Sequence, residues 1–426
     1  MPDAPMSPKA AIVTVGDELL LGQTVDTNAA WLGRRLAERG IPVVRRYTVA
    51  DDAGEIHGAV LGALEAAELV LVTGGLGPTP DDLTRDAVAE LLGRPLITDP
   101  EVLERIRARF RERGVEELPE PNRRVAQVPE GARKLTNPEG TAPGLLLETD
   151  GRLVVLFPGV PRELKGIYGA DFVPSLEEHF TRRLRPVHIR VIHTTGIPES
   201  LLSHQVGEAL PHGPDPVKLA FLPDERGVDL RLTAFDLDEG VAARSFDALE
   251  EALKEVVEPW RFHAPGGDLA EAVSAALERS GRTLAVAESC TGGLIGKRIT
   301  DHAGASAVFL GGVVAYANQT KVEVLGVDPD VLERDGAVSE AVARQMAEGA
   351  ARRLGAHAGL GITGVAGPDG GTDEKPVGTV WYAATVEGRT VARRERFPGD
   401  RRSVRERSAQ AALFLLLRLL EDRLQP

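Results

Sequence analysis

Residues 284–296 read LAVAESCTGGLIG. In this stretch Ser289, Cys290 and Thr291 stand where an apolar run with β character (Thr283 to Ala287, closed by Glu288) ends and a helical pattern begins. A hydroxyl or thiol at a strand-to-helix turn meets converging backbone N–H groups and the positive end of the helix dipole. Acyl transfer needs such a place, because charge growing on a carbonyl oxygen must be met by donors already in position. Thr291, Gly292 and Gly293 would let a substrate lie close to the backbone. An ordinary β–α turn, with an N-cap serine and small residues for tight packing, has the same spelling.

A serine hydroxyl is a weak nucleophile at its free pKa and needs a base. The chain has nine histidines, and none sits in an obvious catalytic motif. His302 and His357 read most simply as capping or surface residues at helix ends. Lys321 and Tyr316, in VVAYANQTK, are the other candidates. A lysine serves as base when burial and neighbours lower its pKa, and a tyrosine would relay a proton or orient the amine. By themselves the two read equally well as a solvated charge and a strand-end aromatic. Cys290 competes with Ser289 as nucleophile, in a Glu288–Lys321–Cys290 set of the nitrilase kind. Serine is favoured, since a cysteine at such a turn is often a small buried hydrophobe.

Two further segments carry polar groups near glycines. GITGVAGPDGGTDEKPVG (Gly361 to Gly378) follows a strand and offers Thr363, Gly364, Asp369 and Lys375 to a ligand, or forms a surface loop. GDRRSVRERS (Gly399 to Ser408) opens the last helix; Arg401 and Arg405 there would hold an anion, or make a charged first turn. In the first part of the chain, VTGGLGPTPDDLTRD (Val72 to Asp86) is a strand, a glycine turn and an acidic helix start. Gly74, Gly75, Gly77 and Asp82 would cradle phosphate. No GK[ST] follows, so this is not a Walker A loop, and G-x-G-x-x-G is absent. Asp17, Glu18, Asp81 and Glu163 cluster near these turns and would suit a divalent cation beside a phosphate. Solvated acids at helix starts are the plain alternative.

The elements that must position these residues alternate. Strand runs at Ala10 to Gly16, Val43 to Val49, Glu68 to Gly75 and Arg152 to Pro161 are interleaved with helical spacing over Thr27 to Arg39, Glu55 to Ala67, Leu83 to Leu92 and 99–114. That order predicts an α/β domain with a largely parallel sheet over 1–170. Residues 171–262 read as a small α+β module. It has a helix over Ser175 to Arg185, the strand VHIRVIHTTG, a helix after Pro198, a hairpin turned at Asp224 to Gly227 and a helix over Ala242 to Val257. A second α/β domain follows over 263–426, with helices at Leu269 to Ser280, Ser339 to Leu354 and Arg401 to Leu424. A chain of 426 residues is too long for one core, which fits this division.

The net charge of −14 weighs against a nucleic-acid-binding surface, which needs clustered Lys and Arg. One cysteine leaves no internal disulfide and fits a reducing compartment. MPDAPMSPKA has no apolar stretch before the first strand, and LFLLLRLL is short and broken by Arg418. The expectation is a soluble, cytoplasmic protein without membrane contact.

AESCTGG, GAVSE, GITGVAGPDGG, EKPVGTVW and the closing GDR–VR set resemble the C-terminal domain of the CinA family, the PncC-type nicotinamide mononucleotide deamidases. GDELLLGQTVDTN, TGGLGPTPDD, NPEGTAPG and FPGVPREL resemble the MoaB/MogA-like molybdopterin-binding fold, most closely the N-terminal domain of full-length CinA. The middle module is similar to its KH-like linker, without a basic GxxG loop that would support RNA binding. The resemblance implies hydrolysis of the nicotinamide mononucleotide amide without metal or cofactor, with Ser289 as nucleophile, Lys321 and Tyr316 assisting, and Arg401 or Arg405, preferably Arg401, taking part. It also implies a metal-dependent ADP-ribose pyrophosphatase (Mg²⁺, Mn²⁺ or Co²⁺) in the N-terminal domain. A homodimer acting on small nucleotides is expected. The alternatives are a first domain that binds a pterin or nucleotide without turnover, or a chain that partners competence or DNA-damage machinery.

Overall fold

A computed structural model of the chain describes residues 7–112, 114–115, 117–180, 187–235 and 237–423. By contact the chain divides into two compact units, Met1–Ile189 with Ala234–Ala242, and Arg190–Thr233 with Ala243–Pro426. The residues expected as a middle module are thus shared between the two.

The first unit is built on the buried strand Ala10–Val15, AAIVTV. It lacks polar alternation because helices cover both faces of its sheet. The sheet runs Val43–Val49, Ala10–Val15, Leu69–Thr73, Arg152–Phe157, Gly144–Thr149, Arg133–Leu135. The first four strands are parallel, and the last two add antiparallel pairs. Side-chain direction alternates along a strand. Ile12, Leu69, Leu71 and Phe157 therefore pack with Leu32 and Leu36 of the helix Thr27–Ala37. Val13, Val70 and Val72 pack with Ile56, Val60 and Ala63 of the helix Ala53–Ala66 on the other face. Asp26 and Asp52 cap these helices by accepting from backbone N–H groups, at 2.8 Å from Ala29 and 2.9 Å from Gly54.

The second unit holds two sheets. One runs Val217–Pro223, Val228–Phe235, Val187–Thr194, Arg261–Phe262. The expected hairpin is present, its turn closed by Asp224 N donating to Gly227 O at 2.9 Å. The other runs Phe309–Val314, Leu284–Glu288, Ala358–Gly364, Thr379–Val386, Arg389–Arg396. The first three of these strands are parallel, and the last two antiparallel. Leu269–Arg279 and the C-terminal helix Arg401–Leu420 cover one face, where Val273, Leu277, Leu413 and Leu416 meet Val286, Leu360 and Ile362. Glu340–Leu354 covers the other, with Met346 and Ala350 against Ala285 and Ala287. This helix lies so close that a Cβ on Gly359 would stand 2.1 Å from Ala347 O.

The strand Arg389–Arg396 has no apolar pattern to announce it. It is an edge strand whose charged side chains face solvent. The helix expected over Ser175 to Arg185 is present as Val173–Phe180; its remainder, 181–185, lies outside the described residues, as does Leu424. No described helix is long and apolar enough to cross a membrane.

Candidate active site

In the second unit, the carboxyl ends of three adjacent parallel strands come together, the usual place for a ligand in an open α/β sheet. Leu284–Glu288 lies between the other two and delivers Ser289. Backbone bonds pin the turn on both sides: Ser289 N donates to Ile362 O at 3.0 Å and Ala315 N to Glu288 O at 2.8 Å. The neighbouring strand Phe309–Val314 leads into Ala315 and Tyr316, then into a short helix Asn318–Glu323 that carries Lys321. The Lys321 side chain folds back across this connection. Its Nζ lies 2.8 Å from Ala315 O, 3.3 Å from Tyr316 O and 3.3 Å from Ser289 Oγ.

Lys321 is only 1% exposed. Burial pushes its amine below the ordinary lysine range. The two carbonyls can only accept, so they take two N–H bonds. In the neutral amine the remaining lone pair is left for the hydroxyl proton of Ser289. Cys290 is also buried, and burial pushes its thiol up to about 12. Little thiolate is available at neutral pH.

Glu288 is a buried carboxylate, 1% exposed. Its oxygens accept from the N–H groups of Gly293, Ile295 and Gly296 at 2.9, 3.1 and 2.9 Å. It caps the helix Leu294–Thr300. This corrects one expectation: those helix-start donors do not await a substrate oxyanion, because a buried carboxylate must be satisfied and takes them first. It also leaves the Glu288–Lys321–Cys290 set unassembled.

Arg401 opens the C-terminal helix and reaches Tyr316 Oη with Nη2 at 3.1 Å and Gly367 O with Nη1 at 2.7 Å. Tyr316 is 62% exposed, so this pair forms the solvent side of the site. Arg405 donates to Thr291 O from Nη2 at 2.6 Å and from Nε at 3.2 Å.

In the first unit, the carboxyl ends of the parallel strands surround a cavity of about 440 Å³. Its wall includes Glu18, Asp51, Gly74, Gly75, Gly77, Asp81, Asp82 and Glu163. Gly74 has φ +110°, and a Cβ there would meet Val15 O at 2.2 Å, so the turn admits only glycine. Burial pushes the Asp51 carboxyl up, opposed by a hydrogen bond from Asp17 N; the charges of Asp17, Glu18 and Asp81 push it further up.

Family models match the chain in three places. The CinA C-terminal domain matches residues 267–420, the "Probable molybdopterin binding domain" residues 11–178, and the damage-inducible protein CinA KH domain residues 189–262. A CinA-like protein of Gemmatimonas aurantiaca is 47% identical over 408 residues, 96% of this chain and 95% of that one. The chain belongs to the CinA family. A CinA family relative from Moorella thermoacetica, named as competence-damage inducible, is 43% identical over 97% of this chain and 99% of its own. The solved structure of "the protein CinA with unknown function" from Thermoplasma acidophilum is 37% identical, covers 41% of this chain and 97% of its own, and has a TM-score of 0.36.

Within this CinA fold, Ser289, Lys321, Tyr316, Arg401 and Arg405 are brought together around one turn. Gly292 and Gly293 lie on that turn, and Gly364 ends the adjacent strand. Thr291 is fully buried and presents only its carbonyl, to Arg405. Thr363 is 1% exposed and its hydroxyl donates to Ala337 O at 2.8 Å, so neither threonine offers a side chain to a ligand. Lys375 Nζ is tied to Asp335 O at 2.7 Å.

In the first unit, Asp82 lines the cavity and also shapes its loop, accepting from Gly77 N and Thr79 N at 2.8 Å each. Glu163 accepts from Asn137 Nδ2 at 2.6 Å. Asp17 and Asp51 hold each other's backbone N–H. Asp17, Glu18, Asp81 and Glu163 do not converge as a ligand set: among the described residues, no three His, Cys, Asp or Glu are grouped to hold a metal ion. Sequence reasoning missed Asp51, which follows the strand Val43–Val49 by two residues. The strand-end rule alone would have found it.

Proposed function

We propose that the C-terminal domain of this CinA family member hydrolyses the amide of nicotinamide mononucleotide to nicotinate mononucleotide and ammonia. One observation carries it: a buried lysine amine 3.3 Å from a serine hydroxyl, with backbone carbonyls as its other partners. Ser289 Oγ attacks the amide carbon while Lys321 takes its proton. The C–N bond then breaks, and the Lys321 ammonium returns the proton to the departing nitrogen. Water hydrolyses the acyl-serine by the same base. Arg401 and Tyr316, paired on the solvent side of the site, would meet the nucleotide or the developing oxyanion. The test is ammonia release by the whole chain from nicotinamide mononucleotide, free nicotinamide and glutamine side by side. Release from the first alone supports the reading; release from none removes it.

For the N-terminal domain we propose hydrolysis of ADP-ribose to AMP and ribose 5-phosphate with a divalent cation. Such a cation would neutralise charge on the diphosphate. Small hard cations keep several waters and lean on one or two carboxylates plus substrate phosphates. The acids spaced around this cavity fit a cation arriving with the substrate better than a resident one. That no such ligand set is grouped among the described residues also leaves room for a second reading, a nucleotide- or pterin-binding module without turnover. AMP formation from ADP-ribose by the whole chain with Mg²⁺, Mn²⁺ or Co²⁺ separates the two. The competence and damage names of the relatives fit either.

A further inference from the structure

The hairpin turn Asp224–Gly227 lies against helices that carry the amide-hydrolysing site, within the same compact unit. Glu225 Oε1 accepts from Ser403 Oγ at 2.9 Å. Arg226 Nη1 donates to Asp268 Oδ2 at 3.1 Å, and its Nη2 stands 3.6 Å from Glu406. Asp268 in turn accepts from Arg298 Nη2 at 2.6 Å, and that nitrogen also donates to Gln410 Oε1 at 2.8 Å. Arg298 and Gln410 are 2% and 3% exposed. Arg298 belongs to the helix Leu294–Thr300, which starts directly after the nucleophile turn. Ser403, Glu406 and Gln410 belong to the helix of Arg401 and Arg405.

Residues three and four apart share a helix face. Arg401 and Arg405 form one face, toward Tyr316 and Thr291. Ser403, Glu406 and Gln410 form another, toward the hairpin and Arg298. The turn is itself rigid: Asp224 Oδ1 accepts from Arg226 N and Gly227 N at 2.7 and 2.9 Å. A fixed tip pressed on one face of a helix fixes the other.

Resting on the amide-hydrolase reading above, we propose that Glu225 and Arg226 are positioning residues: they hold the first turns of the C-terminal helix so that Arg401 and Arg405 stay aimed at Tyr316 and the nucleophile turn. The hairpin of the KH-like module is then a structural part of the deamidase site, though it touches no reacting atom. A misplacement of about 1 Å costs on the order of a hundredfold in rate.

The test uses the whole chain with Glu225→Ala, Arg226→Ala and Arg226→Lys, and with Ser403→Ala, which removes the partner of Glu225 without touching the hairpin. On nicotinamide mononucleotide, Arg226→Ala should lower kcat/KM by roughly 10- to 100-fold, and Arg226→Lys should recover part of it. The pH at which the rate rises should stay where it is in the wild type, because Lys321 is not displaced. Hydrogen exchange of residues 401–407 should quicken in Glu225→Ala and Ser403→Ala. Rates within twofold of wild type in all four variants overturn the proposal. If the wild type itself releases no ammonia, the amide-hydrolase reading fails. Exchange then decides the positioning: unchanged protection at 401–407 overturns it, and faster exchange supports it.

Discussion

Lys321 Nζ stands 3.3 Å from Ser289 Oγ, and among the described residues no carboxylate shares the contact: its other partners are two main-chain carbonyls. An acid beside the amine would hold it charged. Here burial works the other way, and the pair is set up for proton transfer from oxygen to nitrogen.

This fixes a pH dependence. The base works only when neutral, so kcat/KM for amide hydrolysis should rise with pH and level off above the lowered Lys321 value, below the ordinary 10.5. Stability should follow the same sign. The folded chain binds fewer protons at this site than the unfolded chain between the lowered value and 10.5. The burial penalty is therefore full at low pH and fades as pH rises through that window. Denaturation of wild type and Lys321→Met, followed against pH, should show wild type gaining on the variant as pH increases. Parallel curves would remove the claim.

Ser289→Ala should lower ammonia release by three or more orders of magnitude, the scale on which nucleophile removal acts. Cys290→Ala should retain most of the rate, its thiol being held protonated by burial. Reversed behaviour of the two variants would hand the nucleophile to Cys290.

Glu288→Ala leaves three N–H groups, one buried and two half-buried, without their acceptor. The expected cost is at least about 1–3 kcal/mol, the scale for unsatisfied buried donors, seen as a lower melting temperature. The rate should fall as well, since the turn that aims Ser289 loses its anchor. Glu288→Gln, which keeps one acceptor oxygen, should fall between wild type and Glu288→Ala in both.

Tyr316 and Arg401 meet at 3.1 Å on the open side of the site. Tyr316→Phe, Arg401→Ala and the double variant should be non-additive in kcat/KM, with a coupling of about 0.5–3 kcal/mol, as for groups in contact. Strict additivity would mean that the two act apart.

The central strands of the first unit were legible because they are buried on both faces: AAIVTV and LVLVT read as unbroken apolar runs. Ser289 was legible as chemistry at a strand end and Lys321 as a candidate base after the next strand, but not the short helix Asn318–Glu323 that carries it. What escaped was what pairing creates. Asp51 becomes a neighbour of Asp17 only when Ala10–Val15 and Val43–Val49 lie parallel. Asp82 looks like a ligand-facing acid in sequence, and only the close approach of Gly77 and Thr79 reveals that it also staples its loop. Arg405 has the same spelling as Arg401, and only the packing of their helix sends it to Thr291 O. Glu288 enters the sequence reading only through the disfavoured Glu288–Lys321–Cys290 set; its role as a helix cap depends on a strand buried between two others, which no local pattern reveals.

An acid at the end of that middle strand has one further effect. The helix after the nucleophile carries its own counter-ion, covalently supplied, so a nucleotide phosphate brought there finds the amides already neutralised. If the proposed deamidation holds, recognition of the anionic end of a substrate would then fall to guanidinium groups already seated by their own hydrogen bonds, Arg401 on Gly367 O and Tyr316 Oη, Arg405 on Thr291 O.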